Sequence, residues 1–119
     1  YCLSLPVPEE CTPFDETTPV YKIGGRMYAC ADMAESGWVA VKCDPDEALL
    51  LRERHPEITT APHFNKRHWN AVPTASDLPD AFIREQIRRS YLLVVRQNVT
   101  PRARREEILA YISAHGLPE

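Results

Sequence analysis

Val20-Tyr21-Lys22-Ile23-Gly24-Gly25-Arg26-Met27-Tyr28-Ala29-Cys30-Ala31 is the stretch from which the architecture is read. Two runs rich in β-branched, aromatic and small apolar residues flank a pair of glycines. Such a pair accepts the positive φ values of a tight two-residue turn, so the stretch predicts an antiparallel hairpin. Trp38-Val39-Ala40-Val41-Lys42 supplies a third strand after a polar turn around Glu35-Ser36-Gly37.

Helix signals follow. Asp44-Pro45-Asp46-Glu47 offers a capping side chain, a proline suited to the first helical position and a glutamate able to close a capping box. That helix is predicted to run to about Arg54, before Pro56. Two further strands are expected, Ile58 to Phe64 and His68 to about Thr74, joined around Asn65-Lys66-Arg67. Asp77 or Ser76 then caps a helix from Pro79 to about Val95, with Ile83, Ile87, Tyr91 and Val94 as its apolar stripe. Thr100-Pro101 opens a last helix, which reaches His115 and stops at Gly116 and Pro118. Its apolar residues are Ile108, Leu109 and Ile112. Tyr1 to Leu5 reads as the final turn of a helix stopped by Pro6, and the acidic, proline-rich segment to Pro19 reads as a loop. Hairpin-linked strands with helices between the groups imply an α+β two-layer sandwich, an antiparallel sheet with helices on one face. The order is α-β(3)-α-β(2)-α plus a C-terminal helix.

The chain has 119 residues, 44% apolar and 26% charged, which suits one ordinary globular domain. Its longest apolar run, Tyr91 to Val95, falls far short of the ~20 residues of a membrane span. Cys2, Cys11, Cys30 and Cys43 are scattered, with no metal-finger or C-x-x-C spacing. They are expected to be reduced thiols in a cytoplasmic protein. Because the chain starts at Tyr1, a preceding segment is expected.

Net charge is −3, unlike that of a generic nucleic-acid binder, yet the charge is unevenly distributed. Acids dominate up to Glu47. Between Arg84 and Arg105 seven arginines (Arg84, Arg88, Arg89, Arg96, Arg102, Arg104, Arg105) meet one acid, Glu85. A solvated helix face and an anion-facing surface both account for such a run.

No phosphate loop, nucleophile elbow or zinc-protease pattern is present, so no enzyme activity and no cofactor are expected. His63 and His68 lie five apart with no nearby carboxylate to complete a metal triad, so no metal site is expected. The densest polar cluster is Phe64-Asn65-Lys66-Arg67-His68-Trp69-Asn70. As structure, Asn65 makes a turn, Trp69 begins a strand and buries its ring against the helices, and the cations stay in water. As function, Lys66 and Arg67 on a wing-like hairpin touch phosphate. Residue chemistry by itself favours the structural reading, since Asn-Lys-Arg is ordinary turn chemistry.

The order of motifs resembles the MmcQ/YjbR family of small bacterial proteins. The matching pieces are Val20 to Ala29, Val41-Lys42-Cys43-Asp44-Pro45, Leu51-Arg52-Glu53-Arg54-His55-Pro56, His63 to Asn70, and Ser90 to Val95. The resemblance implies a CyaY-like or secretion-chaperone-like fold over residues 1–97, with the first helix truncated and residues 98–119 as a helical extension. It also implies DNA binding through a double-wing arrangement. On that reading Lys66, Arg67 and His68 contact the backbone, and Arg84, Arg88 and Arg89 form a second contact surface. The alternative is a protein-interaction or chaperone-like module that engages a protein partner or a second copy. No membrane association is expected.

Overall fold

The computed structural model describes residues 1, 2, 5, 9–11, 19–32, 37–61, 64–74 and 78–117. Its elements are β1 (Glu9–Cys11), β2 (Val20–Ile23), β3 (Arg26–Asp32), β4 (Trp38–Lys42), α1 (Pro45–Arg54), β5 (Thr59–Thr60), β6 (Trp69–Pro73), α2 (Asp80–Gln97) and α3 (Arg102–His115). Among the described residues six strands form one sheet in the order β1-β2-β3-β4-β6-β5, and every neighbouring pair is antiparallel.

Gly24 and Gly25, at φ 56° and 77°, make the turn between β2 and β3 that the glycine pair predicts. Gly24 is doubly constrained, because a Cβ there would lie 2.9 Å from a Val99 methyl. The capping signal before α1 also holds. Asp44 Oδ1 accepts from the Asp46 N–H at 3.1 Å, with Pro45 at the first position. The Glu47 carboxylate faces Arg89 across to α2, 3.8 Å from its Nη1.

Several expectations are corrected. The segment expected to be loop up to Pro19 contains β1 at the sheet edge. The expected strand from Ile58 to Phe64 shrinks to Thr59–Thr60, and Pro62 lacks the N–H needed to continue a ladder. At the N-terminus, the described residues show a single turn, the Leu5 N–H on the Cys2 carbonyl at 3.2 Å. The expected turn at Glu35-Ser36 and the caps Ser76 and Asp77 lie outside the described residues. Pro79 stands at the N-cap of α2 without a side-chain hydrogen bond.

The main core holds Val39 and Val41 of β4, Val72 of β6, and the buried residues Ala48, Ile87, Tyr91, Val94, Val95 and Ile108 from all three helices. The helices therefore lie on one face of the sheet. The opposite face carries a smaller cluster of Val20, Cys30, Ala40, Ala61 and Ala71, flanked by Met27, Trp38, Phe64 and Trp69. Cys2, Cys30 and Cys43 are free buried thiols. Residues beyond α2 join the main core too, through Val99 and Ile108.

One irregularity locks α2 to the sheet. Tyr21 pairs with Ala29 but Lys22 pairs with Met27, so Tyr28 is an extra residue in β3. This bulge turns both Tyr28 and Ala29 toward the helices. The Tyr28 ring meets Tyr91 edge-on at 5.1 Å, and its hydroxyl donates to the Cys2 carbonyl at 3.1 Å. The β3–β4 ladder stops at the bulge. There the buried Ser90 hydroxyl donates to the Tyr28 carbonyl at 2.5 Å and accepts the Lys42 N–H at 2.8 Å. A helix side chain thus occupies the gap between two strands. Ser90→Ala leaves two buried backbone groups unpaired, each costing ~1–3 kcal/mol. Urea unfolding of this variant is expected to show a stability loss of about 2–6 kcal/mol.

Candidate functional site

The Asn65–Asn70 cluster folds as a corner at the entry to β6. Asn65 Oδ1 accepts the Arg67 N–H at 2.9 Å, and the Asn65 carbonyl accepts the N–H groups of His68 and Trp69 at 3.2 and 3.0 Å. An asparagine that gives its side chain to its own backbone favours a tight turn over an extended hairpin. The expected wing is therefore a helical turn that exposes Lys66 and Arg67, with His68 half-buried.

Side-chain parity in β6 also differs from expectation. Asn70 and Val72 face the helices, while Trp69 and Ala71 face the other way. Trp69 packs on Phe64, ring centroids 4.9 Å apart, on the sheet face away from the helices. The reason is the Asn70 amide, which is 1% exposed. Its Nδ2 donates to the Ala48 carbonyl at 3.2 Å and lies 3.9 Å from Cys43 Sγ, while its Oδ1 accepts from Arg52 Nη1 at 2.9 Å. With a side-chain period of two, placing Asn70 under α1 sends Trp69 to the opposite face.

Arg52 is the residue that sequence reasoning missed. Its Nη1 also donates to the Lys66 carbonyl at 2.8 Å, so α1 holds the corner in place. The Cys43 N–H reinforces it, donating to the His68 carbonyl at 2.7 Å. The corner thus gathers Arg52, Lys66 and Arg67, and among the described residues no carboxylate forms an ion pair with any of them. The available signal was spacing. Arg52 lies four residues after Ala48 on α1, and Asn70 bonds both residues.

The α2 arginines are placed differently. Arg84 lies over the Tyr1 ring at 5.5 Å. Arg88 pairs with Glu85, and Arg89 meets both Glu85 Oε1 at 3.1 Å and Glu47 Oε1 at 3.8 Å. Burial pushes the Glu85 carboxyl up, but hydrogen bonds from Arg88 and Arg89 outweigh it and hold the pKa below the usual value. α1 stands between the two basic groups. Ala48 and Arg52 contact the corner, whereas Glu47 and His55 contact Arg89 and Phe82 of α2. The structure therefore brings Lys66, Arg67 and His68 together and leaves Arg84, Arg88 and Arg89 on the far flank of α1.

Among the described residues no group of three His, Cys, Asp or Glu side chains could hold a metal, and His63 lies outside them. No helix there is long and apolar enough to cross a membrane.

The pattern of motifs on this scaffold has a counterpart in known proteins. The YjbR family model matches residues 3–93. This chain belongs to the YjbR family. The uncharacterised protein YbdF of Escherichia coli O157:H7 is 34% identical over 94 residues, covering 78% of this chain and 77% of its own. The uncharacterised protein YjbR of Escherichia coli K12 is 30% identical over 107 residues, 89% of each chain. The crystal structure of Deinococcus radiodurans protein DR2400 superposes with a TM-score of 0.80 at 36% identity, over 90% of this chain and 81% of that one. A Pseudomonas syringae protein shares the fold at TM-score 0.64 and 22% identity, over 72% of this chain and 86% of its own. The family match ends before α3, whose Ile108 is nevertheless buried in the shared core.

Asn70 carries the corner's attachment to α1. Asn70→Ala removes one buried amide and its three contacts, at an expected cost of about 2–3 kcal/mol. Denaturant unfolding should show the lower midpoint.

Proposed function

We propose that this YjbR-family protein is a non-catalytic binding module that contacts the phosphate backbone of DNA, weakly and without base readout, through the corner. The observation that carries this reading is the set of cations Arg52, Lys66 and Arg67, which form no ion pair among the described residues, with His68 beside them. Phosphate contacts need positive charge fixed in position, and the Arg52 hydrogen bonds to Lys66 and Asn70 supply that fixation. Arg84, Arg88 and Arg89 take a secondary role, since Glu85 and Glu47 already offset the latter two. A salt titration on duplex DNA, followed by fluorescence anisotropy, tests the reading. Three phosphate contacts give a log–log slope of about −2.7, falling to about −0.9 in the Lys66→Ala/Arg67→Ala double variant. Absence of binding at low salt, or an unchanged slope in the double variant, removes the reading.

A second reading, a protein-interaction module, is favoured by Leu49 and Leu50, which are 52% and 47% exposed side by side on α1. Two adjacent exposed leucines are a small apolar patch suited to a protein partner or a second copy. Light scattering after size exclusion separates the possibilities for self-association. A concentration-dependent dimer that Leu49→Ser/Leu50→Ser abolishes supports the self-association form, whereas a strict monomer leaves only a heterologous partner.

A further inference from the structure

Phe64 and Trp69, the aromatic members of the corner, lie on the sheet face away from the helices. The turn that exposes Lys66 and Arg67 starts directly after Phe64 and closes at Trp69, whose N–H donates to the Asn65 carbonyl at 3.0 Å. The two rings therefore stand at the feet of a turn that carries two exposed cations. Their centroids are 4.9 Å apart with the planes 40° from parallel, so they touch without stacking face to face, and both are only half-buried.

The rings belong to a larger surface. On the same face Ala40 of β4 stands between Cys30 of β3 and Ala71 of β6, each directly opposite it. Trp38 precedes Ala40 by two residues and Trp69 precedes Ala71 by two. Because the strands are antiparallel, the two indoles flank these small residues from opposite ends, roughly 14 Å apart in the strand direction. Cys30, Ala40 and Ala71 are buried, whereas Trp38, Phe64 and Trp69 are partly exposed, so among the described residues the rings are the accessible part of this cluster. Lys66 and Arg67 form no ion pair among the described residues. Flat rings left partly in water beside such cations match a ligand that carries planar faces and negative charges along one chain.

We propose that this face binds single-stranded DNA, with phosphates on Lys66 and Arg67, bases stacked on Trp69 and Phe64, and the strand continuing towards Trp38. The proposal rests on the phosphate-contact reading of the corner and adds the class of DNA. In a duplex the bases stack on one another and their faces are closed to protein rings, whereas a single strand leaves them free. Stacking accepts every base, in keeping with binding that does not read sequence. An acidic peptide would satisfy the cations but offer the rings no flat partner.

The test compares oligo(dT) of about ten nucleotides, an abasic strand of the same length, duplex DNA and oligoglutamate, each titrated against the whole chain by fluorescence anisotropy. Oligo(dT) is expected to bind at least about tenfold more tightly than the abasic strand. Both single strands should share a log–log salt slope of about −2.1 for three phosphates, because stacking releases no counterions. Tryptophan fluorescence should be quenched by oligo(dT) and not by the abasic strand. Trp69→Leu and Phe64→Leu should each lower the ratio of oligo(dT) to abasic affinity at least about fivefold. Should either variant fail to fold, the wild-type comparison decides. The proposal is overturned, with the phosphate reading intact, if the abasic strand or the duplex binds as tightly as oligo(dT), or if folded Trp69→Leu keeps the wild-type ratio. Oligoglutamate binding as tightly as oligo(dT) marks a general anion surface and also overturns it. If no DNA binds at low salt, both readings fall.

Discussion

The Ser90 hydroxyl sits between the Tyr28 carbonyl of β3 and the Lys42 N–H of β4, in the place where a strand-to-strand hydrogen bond would otherwise lie. It can do so because the bulge at Tyr28 ends the regular ladder. The bulge presents two consecutive side chains to the helix layer, and Tyr28 uses its position against Tyr91 and the Cys2 carbonyl. α2 is thereby fixed in register with the sheet by directional bonds as well as by apolar contact. Lys42 is anchored at its N–H, which sets where Cys43 and Asp44 begin α1. From α1, Ala48 and Arg52 reach Asn70 and the corner. The corner is thus tied, through α1, to a strand end that the Ser90 hydroxyl holds in place.

The two basic groups illustrate how tertiary structure distributes charge. In sequence, the α2 arginines are the more numerous cations. In the fold, Glu85 binds two of them and Glu47 approaches one from α1. Exposed pairs of this kind contribute little stability, but they reduce the potential available to a polyanion. Lys66 and Arg67 are few, yet among the described residues no acid pairs with them, and Arg52 joins them from another element. The corner is therefore the cationic group with the least paired charge among the described residues.

The hairpin over Val20 to Ala31, the capped start of α1 and the bounds of β4 were all legible, because each rests on local chemistry. A glycine pair, an Asp-Pro cap and a short β-prone apolar run act through neighbours in the chain. The stripe of α2 was legible at Ile87, Tyr91 and Val94, but its buried polar members Gln86 and Ser90 were not. Ser90 finds its partners on β3 and β4, and helical periodicity carries no signal for such polar positions. β1 was missed because its pairing with β2 stabilises a segment of weak strand propensity.

The corner shows where the division falls. The sequence by itself determined that Asn65 would turn the chain, that Lys66 and Arg67 would be exposed, and that a strand would follow. Only the tertiary structure decided that Asn70 and not Trp69 would face the helices. Both parities bury apolar residues, Val72 on one face and Ala71 on the other, so pattern alone leaves the choice open. The buried amide settles it, because its bonds to Ala48 and Arg52 exist only once α1 lies across β6. The same contact brings a third cation to a corner where the chain itself placed two.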